Sequence, residues 1–159
     1  MNNLGNSLNL TPEMRALREY FEGAWKFTRQ FTSYPEAQGS ASFTPDGEDL
    51  VYEEALRLKV QEGQTLDATR SYRYVFLPTS LRIKFSDGAN LGLVFLDFVL
   101  PDSWQSELNS TGLVLNADHQ CGNDTYNATF SLNSDGTFAT RYDVSGPAKD
   151  YAIISRYFR

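Results

Sequence analysis

From Gly23 onward the side chains keep a period of two, and this alternation narrows the possible folds more than any other feature of the chain. Trp25, Phe27, Arg29 and Phe31 alternate with Ala24, Lys26, Thr28 and Gln30, which gives an extended segment one aromatic face. The same behaviour recurs at 38–44, 49–60, 65–77, 80–86, 91–99, 111–120, 125–132, 137–145 and 150–158. Turn chemistry separates these segments: Pro45-Asp46-Gly47, Glu62-Gly63, Leu77-Pro78, Asp87-Gly88, Asn133-Ser134-Asp135-Gly136 and Gly146-Pro147. About ten strands at hairpin spacing, with no helix between them, exclude a parallel sheet, because parallel neighbours need long crossovers.

A sandwich or a barrel remains. The strands at 49–60 and 65–77 are long, as tilted barrel strands are. The last strand also reaches the end of the sequence, where pairing with the first would remove exposed edges. The expected fold is an all-β, closed antiparallel barrel of about ten strands with one short N-terminal helix. That helix is predicted at 12–22, with Thr11 as N-cap, Pro12 in the first turn, and Met14, Leu17 and Phe21 on one stripe. Residues 1–10 are polar and read as a disordered tail, leaving 11–159 as a single domain. The stretch 100–112 is irregular and reads as a long connection or lid, with Trp104 either covering a pocket mouth or plugging a local surface gap.

Composition then restricts partners. A formal charge of -6 offers no basic face for nucleic acid and no attraction to anionic lipid. No apolar run approaches the roughly 20 residues of a membrane helix. The Asn-rich start lacks the apolar core of a signal peptide, and Cys121 has no second cysteine to pair with, so the expected location is cytoplasmic. A homodimer stays open.

Several polar residues share faces with the aromatics. Arg70 alternates with Tyr72, Tyr74 and Phe76, and the preceding strand offers Tyr52, Glu54 and Leu56. A guanidinium on such a face must be paired or satisfied by a ligand. One reading is an internal ion pair with Glu54. The other is an arginine that receives an anionic or carbonyl group, assisted by tyrosine hydroxyls. On the last strand Arg156 alternates with Ala152, Ile154 and Phe158 and is expected to point inward beside Arg141 or Arg70, or to clamp the barrel shut.

The only His and the only Cys lie in Asp118-His119-Gln120-Cys121-Gly122-Asn123-Asp124-Thr125-Tyr126. On a strand His119 and Cys121 share a face about 7 Å apart. Zinc needs three or four protein ligands, and beyond this pair there is no second His or Cys and only Asp118 or Asp124 could contribute, so no metal site is assigned. Haem ligation by His119 stays open, and no cofactor is identified. General acid–base work by His119, Asp124 and Tyr126 is the chemical reading. A hydrogen-bonded hairpin with a buried Cys121 is the structural one. A Ser-His-Asp triad lacks its strand–turn–helix context and is rejected.

Gly23-Ala24-Trp25 resembles the Gly-x-Trp opening of lipocalin-like barrels, in which an Arg of the last strand covers the Trp. Arg156 is the expected counterpart. Further segments extend the match: Ala68-x-Arg70-x-Tyr72-x-Tyr74, Phe85-x-Asp87-Gly88, His119-x-Cys121-x-x-Asp124-x-Tyr126, and Gly146-Pro147-x-Lys149-Asp150-Tyr151 with Ser155-Arg156-Tyr157. Together they resemble an uncharacterised bacterial and fungal domain family, DUF 6314, over about 20–159. The resemblance implies a lipocalin-like barrel in the cytoplasm and no established activity. Its pattern has an aromatic-His pair after Asp87-Gly88, where this chain has Ala89-Asn90-Leu91.

The expected function is binding of a small, partly aromatic or anionic molecule. The expected lining is Tyr52, Glu54, Arg70, Tyr72, Tyr74, His119, Tyr126, Arg141 and Arg156. The alternative is an isomerase, lyase or hydrolase acting through His119, Asp124 and Tyr126.

Overall fold

A computed structural model describes residues 10–32, 34–61 and 63–159. The elements run α1 (Pro12–Phe21), β1 (Gly23–Phe31), β2 (Tyr34–Asp46), β3 (Asp49–Gln61), β4 (Gln64–Leu77), β5 (Ser80–Phe85), β6 (Val94–Val99), α2 (Trp104–Asn109), β7 (Leu113–Cys121), β8 (Asp124–Leu132), β9 (Phe138–Gly146) and β10 (Lys149–Phe158). All ten strands belong to one antiparallel sheet of order β6-β5-β4-β3-β2-β1-β10-β9-β8-β7. The expected pairing of the first strand with the last is present, from Lys26 opposite Phe158 to Phe31 opposite Ile153. The barrel is nearly closed. Its one seam lies between β6 and β7, which lie side by side without a hydrogen-bond ladder among the described residues.

The two ends of the barrel differ. At one, α1 acts as a stopper. Thr11 caps it by accepting from the Met14 amide at 3.2 Å, and Met14, Leu17 and Phe21 are buried beneath it. Phe21 packs against Phe43, Tyr74 and Phe138, with ring centroids 5.3–5.6 Å away. Arg18 donates to the carbonyls of Gly47 and Glu48, and the Tyr20 hydroxyl donates to those of Asn133 and Thr137, so the helix is tied to two turns at this end. The opposite end is the mouth, formed by the β1–β2, β3–β4, β7–β8 and β9–β10 turns and the β5–β6 connection.

Two expectations change here. The stretch 100–112 holds a second short helix, and the Leu100 amide donates to Thr79 in the β4–β5 turn at 2.9 Å. It therefore lies at the closed end. Trp104 and Leu108 are buried in the core, so Trp104 is not a lid over the mouth. The Trp25 cover is also a different residue. The Arg159 guanidinium lies 3.9 Å over the Trp25 ring and donates to the Tyr20 carbonyl, whereas Arg156 is exposed on the outer face beside Gln30. The tail expected at 1–10 falls, up to residue 9, outside the described residues, and Leu10 packs on the core. Among the described residues no helix is long and apolar enough to cross a membrane.

The inward face of β2 reads Ala37, Gly39, Ala41, Phe43. These small residues let the large side chains of β1 lie across β2. Gly39 sits opposite Phe27, and a Cβ there would collide with the Phe27 ring and the Ala55 carbonyl. Gly39→Ala should therefore destabilise by about 1–3 kcal/mol through overpacking, lowering the melting temperature by roughly 5 °C. Differential scanning calorimetry checks this, and an unchanged transition would show that β2 yields freely.

Candidate functional site

The barrel encloses a cavity of about 430 Å³ that opens at the mouth. Its lining follows from strand parity. β1 contributes Arg29, β3 Tyr52 and Glu54, β4 Arg70, Tyr72 and Tyr74, β7 His119, β8 Tyr126, β9 Thr140 and Tyr142, and β10 Ser155 and Tyr157. Phe95 arrives differently. Where β5 pairs with β6, Ile83 faces Leu96 and Lys84 faces Val94, leaving Phe95 as the extra residue of a bulge. Bulges re-aim side chains, and this one turns a phenyl ring into the cavity.

The polar centre is an ion pair whose partners differ from the expectation. Glu54 is held by Arg29, not Arg70: the guanidinium grips both carboxylate oxygens at 2.8 Å. The side chains are only 14% and 9% exposed. Arg29 also donates to the Ser155 hydroxyl at 2.7 Å, and Tyr52 donates to Glu54 while lying 2.9 Å from the Tyr157 hydroxyl. Glu54 sits opposite Ala41 on β2, so the pair spans a whole strand over the small residues described above. Arg29 was overlooked as a site residue, although its alternation with Trp25, Phe27 and Phe31 carries the same signal that singled out Arg70.

The electrostatics follow from this geometry. Burial alone would raise the Glu54 pKa, but the two hydrogen bonds and the charge of Arg29 outweigh it and hold the carboxyl below its usual value. The same bonds outweigh burial of Arg29 and hold it firmly protonated. Burial pushes the Tyr72 hydroxyl up to about 12 and raises those of Tyr52, Tyr74, Tyr142 and Tyr157, so these phenols are neutral donors near pH 7. The hydroxyls of Tyr72, Tyr74 and Tyr142 have no hydrogen-bond partner among the described residues.

Toward the mouth, Arg70 stacks on Tyr72, its guanidinium carbon 5.6 Å from the ring centre. Asp87 approaches it only to 3.9 Å, without a hydrogen bond, and is itself held by the Ser71 amide at 2.8 Å. His119 lies against Phe85, Phe95 and Tyr126, and its ring nitrogens have no hydrogen-bond partner among the described residues.

Other expected residues separate. Asp124 is paired with Lys149 at 2.8 Å and, among the described residues, makes no hydrogen bond to His119, so the three do not form a relay. Arg141 faces outward and grips Asp143 two residues on, at 2.9 Å. Arg156 also faces outward, because the inward set on β10 is Tyr151, Ile153, Ser155 and Tyr157. Both faces of that strand are largely apolar, so alternation alone does not identify the inward one. Cys121 is exposed at the rim. Among the described residues no three His, Cys, Asp or Glu side chains gather in a way that could hold a metal ion.

Ten antiparallel strands, a helical stopper, an arginine-covered Trp25 and a polar–aromatic interior open at one end make this a lipocalin-like β-barrel. Within that class the chain belongs to DUF6314, a family of unknown function whose model matches residues 21–159. Among solved structures it is similar to the S-type phycobiliprotein lyase CPES from Guillardia theta, with a TM-score of 0.60 at 9% identity over 92% of this chain and 94% of that one. A redesigned β-barrel aligns with a TM-score of 0.42 at 11% identity, over 89% and 93% of the two chains. No curated protein matches the sequence.

The ion pair yields a test. Glu54→Gln would leave Arg29 buried and uncompensated, at a cost of about 3–5 kcal/mol. Folding lowers the Glu54 pKa below its usual 4.5. Its stabilising share is therefore present above that value and lost as pH falls through the lowered one. Urea titrations from pH 7 to pH 3 should show wild type converging on the variant as the medium acidifies. Parallel curves at every pH would mean that Glu54 is not the titrating partner.

Proposed function

We propose that the barrel binds a small organic anion through its open end, with Arg70 as the recognition residue. The observation that carries this reading is the charge of the cavity wall. Its ionised side chains are Arg29, Glu54 and Arg70. Arg29 and Glu54 neutralise one another, which leaves the Arg70 guanidinium in excess inside a protein of net charge -6. A carboxylate, sulfonate or phosphate at the mouth would meet this group, half exposed and without a hydrogen-bonded anion of its own. The rest of the lining is mostly aromatic, with a few polar groups convergent on the hollow, as in small-molecule sites generally. The unpartnered hydroxyls of Tyr72, Tyr74 and Tyr142 and the ring nitrogens of His119 supply donors and acceptors for the remainder of the ligand. Structural likeness to the lyase supports the fold alone.

Native mass spectrometry of freshly purified protein tests the reading directly, since a retained molecule reveals its mass. For an identified or surrogate anion, Arg70→Gln should weaken binding roughly tenfold or more, the worth of a hydrogen bond to a charged group. The melting temperature should move by only a degree or two, because the wild-type ion pair is exposed and loose. A variant that melts much earlier and binds equally well would make Arg70 a structural residue.

A further inference from the structure

The upper cavity contains a stack of three nearly parallel rings. Phe95 lies 5.6 Å from Tyr72 with 14° between the planes, and 5.9 Å from Tyr142 with 10°. Both tyrosine rings thus lie nearly parallel to Phe95, and among the described residues they make no ring contact with each other. His119 and Phe85 close the edges, with centroids 5.2 Å and 4.8 Å from Phe95. A flat ring of the protein itself thus stacks against two of the aromatic walls of the cavity.

That ring stands on β6, one of the two end strands of the ladder. Phe95 is the extra residue of a bulge, and β6 is hydrogen-bonded on one side only, since the seam to β7 has no ladder among the described residues. The connection leading into β6 turns at Gly88 and Gly92, both with the positive φ that favours glycine. Withdrawing Phe95 therefore breaks no ladder bond to β7.

We propose that the cavity takes a planar conjugated ring, and that Phe95 is the internal surrogate for it, leaving its stack on Tyr72 and Tyr142 when the ligand enters. This rests on the binding reading above and narrows it to flat aromatic anions over flexible aliphatic ones. The quadrupole attraction of offset stacks is specific to rings, so an alkyl chain would not recover that part of what displacing Phe95 gives up. Phe95 is thus a specificity-determining residue. The anion lies against Arg70 at the mouth, and the ring lies deeper, against the two tyrosines.

The test uses two anions on the full chain, 8-anilinonaphthalene-1-sulfonate as the planar probe and decanoate as the flexible one. Removing the self-contact in Phe95→Ala should tighten the planar probe on the order of tenfold, the worth of one to two aromatic pairs, and change decanoate by much less. Phe95→Leu, closer in volume, should show the same direction if Phe95→Ala folds poorly. In Phe95→Trp the new indole should shift its emission to the red as the planar probe binds, reporting expulsion toward water. Equal or weaker binding of the planar probe by both truncated variants would overturn the surrogate role, as would an indole that stays blue at saturation. Equal gains for both anions would overturn the planar preference. Failure of wild type and all variants to bind either anion overturns both this inference and the binding reading. Anion binding that is lost in Arg70→Gln but indifferent to Phe95 leaves the binding reading standing and removes this one.

Discussion

A guanidinium and a carboxylate taken out of water lose several kcal/mol of hydration, and they regain it only when geometry satisfies every donor and acceptor. The interior of this barrel is arranged around that requirement. Arg29 contributes two parallel bonds to Glu54 and a third to Ser155, and Tyr52 adds a bond to the same carboxylate. The four residues come from β1, β3 and β10, so a one-residue slip in any of these strands would send a member to the outer wall and strand the rest. The pair contributes register as well as whatever it adds to stability. It also dictates the composition of β2, where Ala37, Gly39 and Ala41 must be small so that β1 can reach β3.

The ends divide the work. The closed end concentrates the helix, its ties to two turns, and the cluster of Phe21, Trp25, Phe43 and Phe138. The mouth has few such ties, and its polar groups are loosely engaged: Arg70 is 3.9 Å from Asp87, and the His119 ring packs against Phe85, Phe95 and Tyr126. Rigid packing at one end and unsatisfied polar chemistry at the other is the arrangement of a container with a base and an opening.

The architecture was readable because period two and turn residues are local signals. The ten strands and their antiparallel pairing followed from them, whereas the first-to-last pairing rested on the need to remove exposed edges. The inward set of β3 and β4 followed too, since their alternation is unambiguous. What escaped was relational. Glu54 pairs with Arg29 across an intervening strand, and no local pattern states which guanidinium arrives. Both faces of β10 are largely apolar, so parity does not state which way Arg156 points, and Arg159, the residue that covers Trp25, lies beyond the strand where parity no longer applies. The helix α2 is six residues long, too short for a helical period to show. Phe95 owes its direction to a bulge, which alternation by itself cannot reveal.

The seam has a mechanical consequence. A fully laddered barrel is a ring, with its girth fixed by strand number and stagger, and widening it means tearing hydrogen bonds. Here the backbone network is a ribbon whose two margins, β6 and β7, have no ladder between them among the described residues and meet through side chains such as Phe95 against His119. Its circumference is set by side-chain volume there, so the hollow can adjust to the bulk of its contents while every rung of the ladder stays intact.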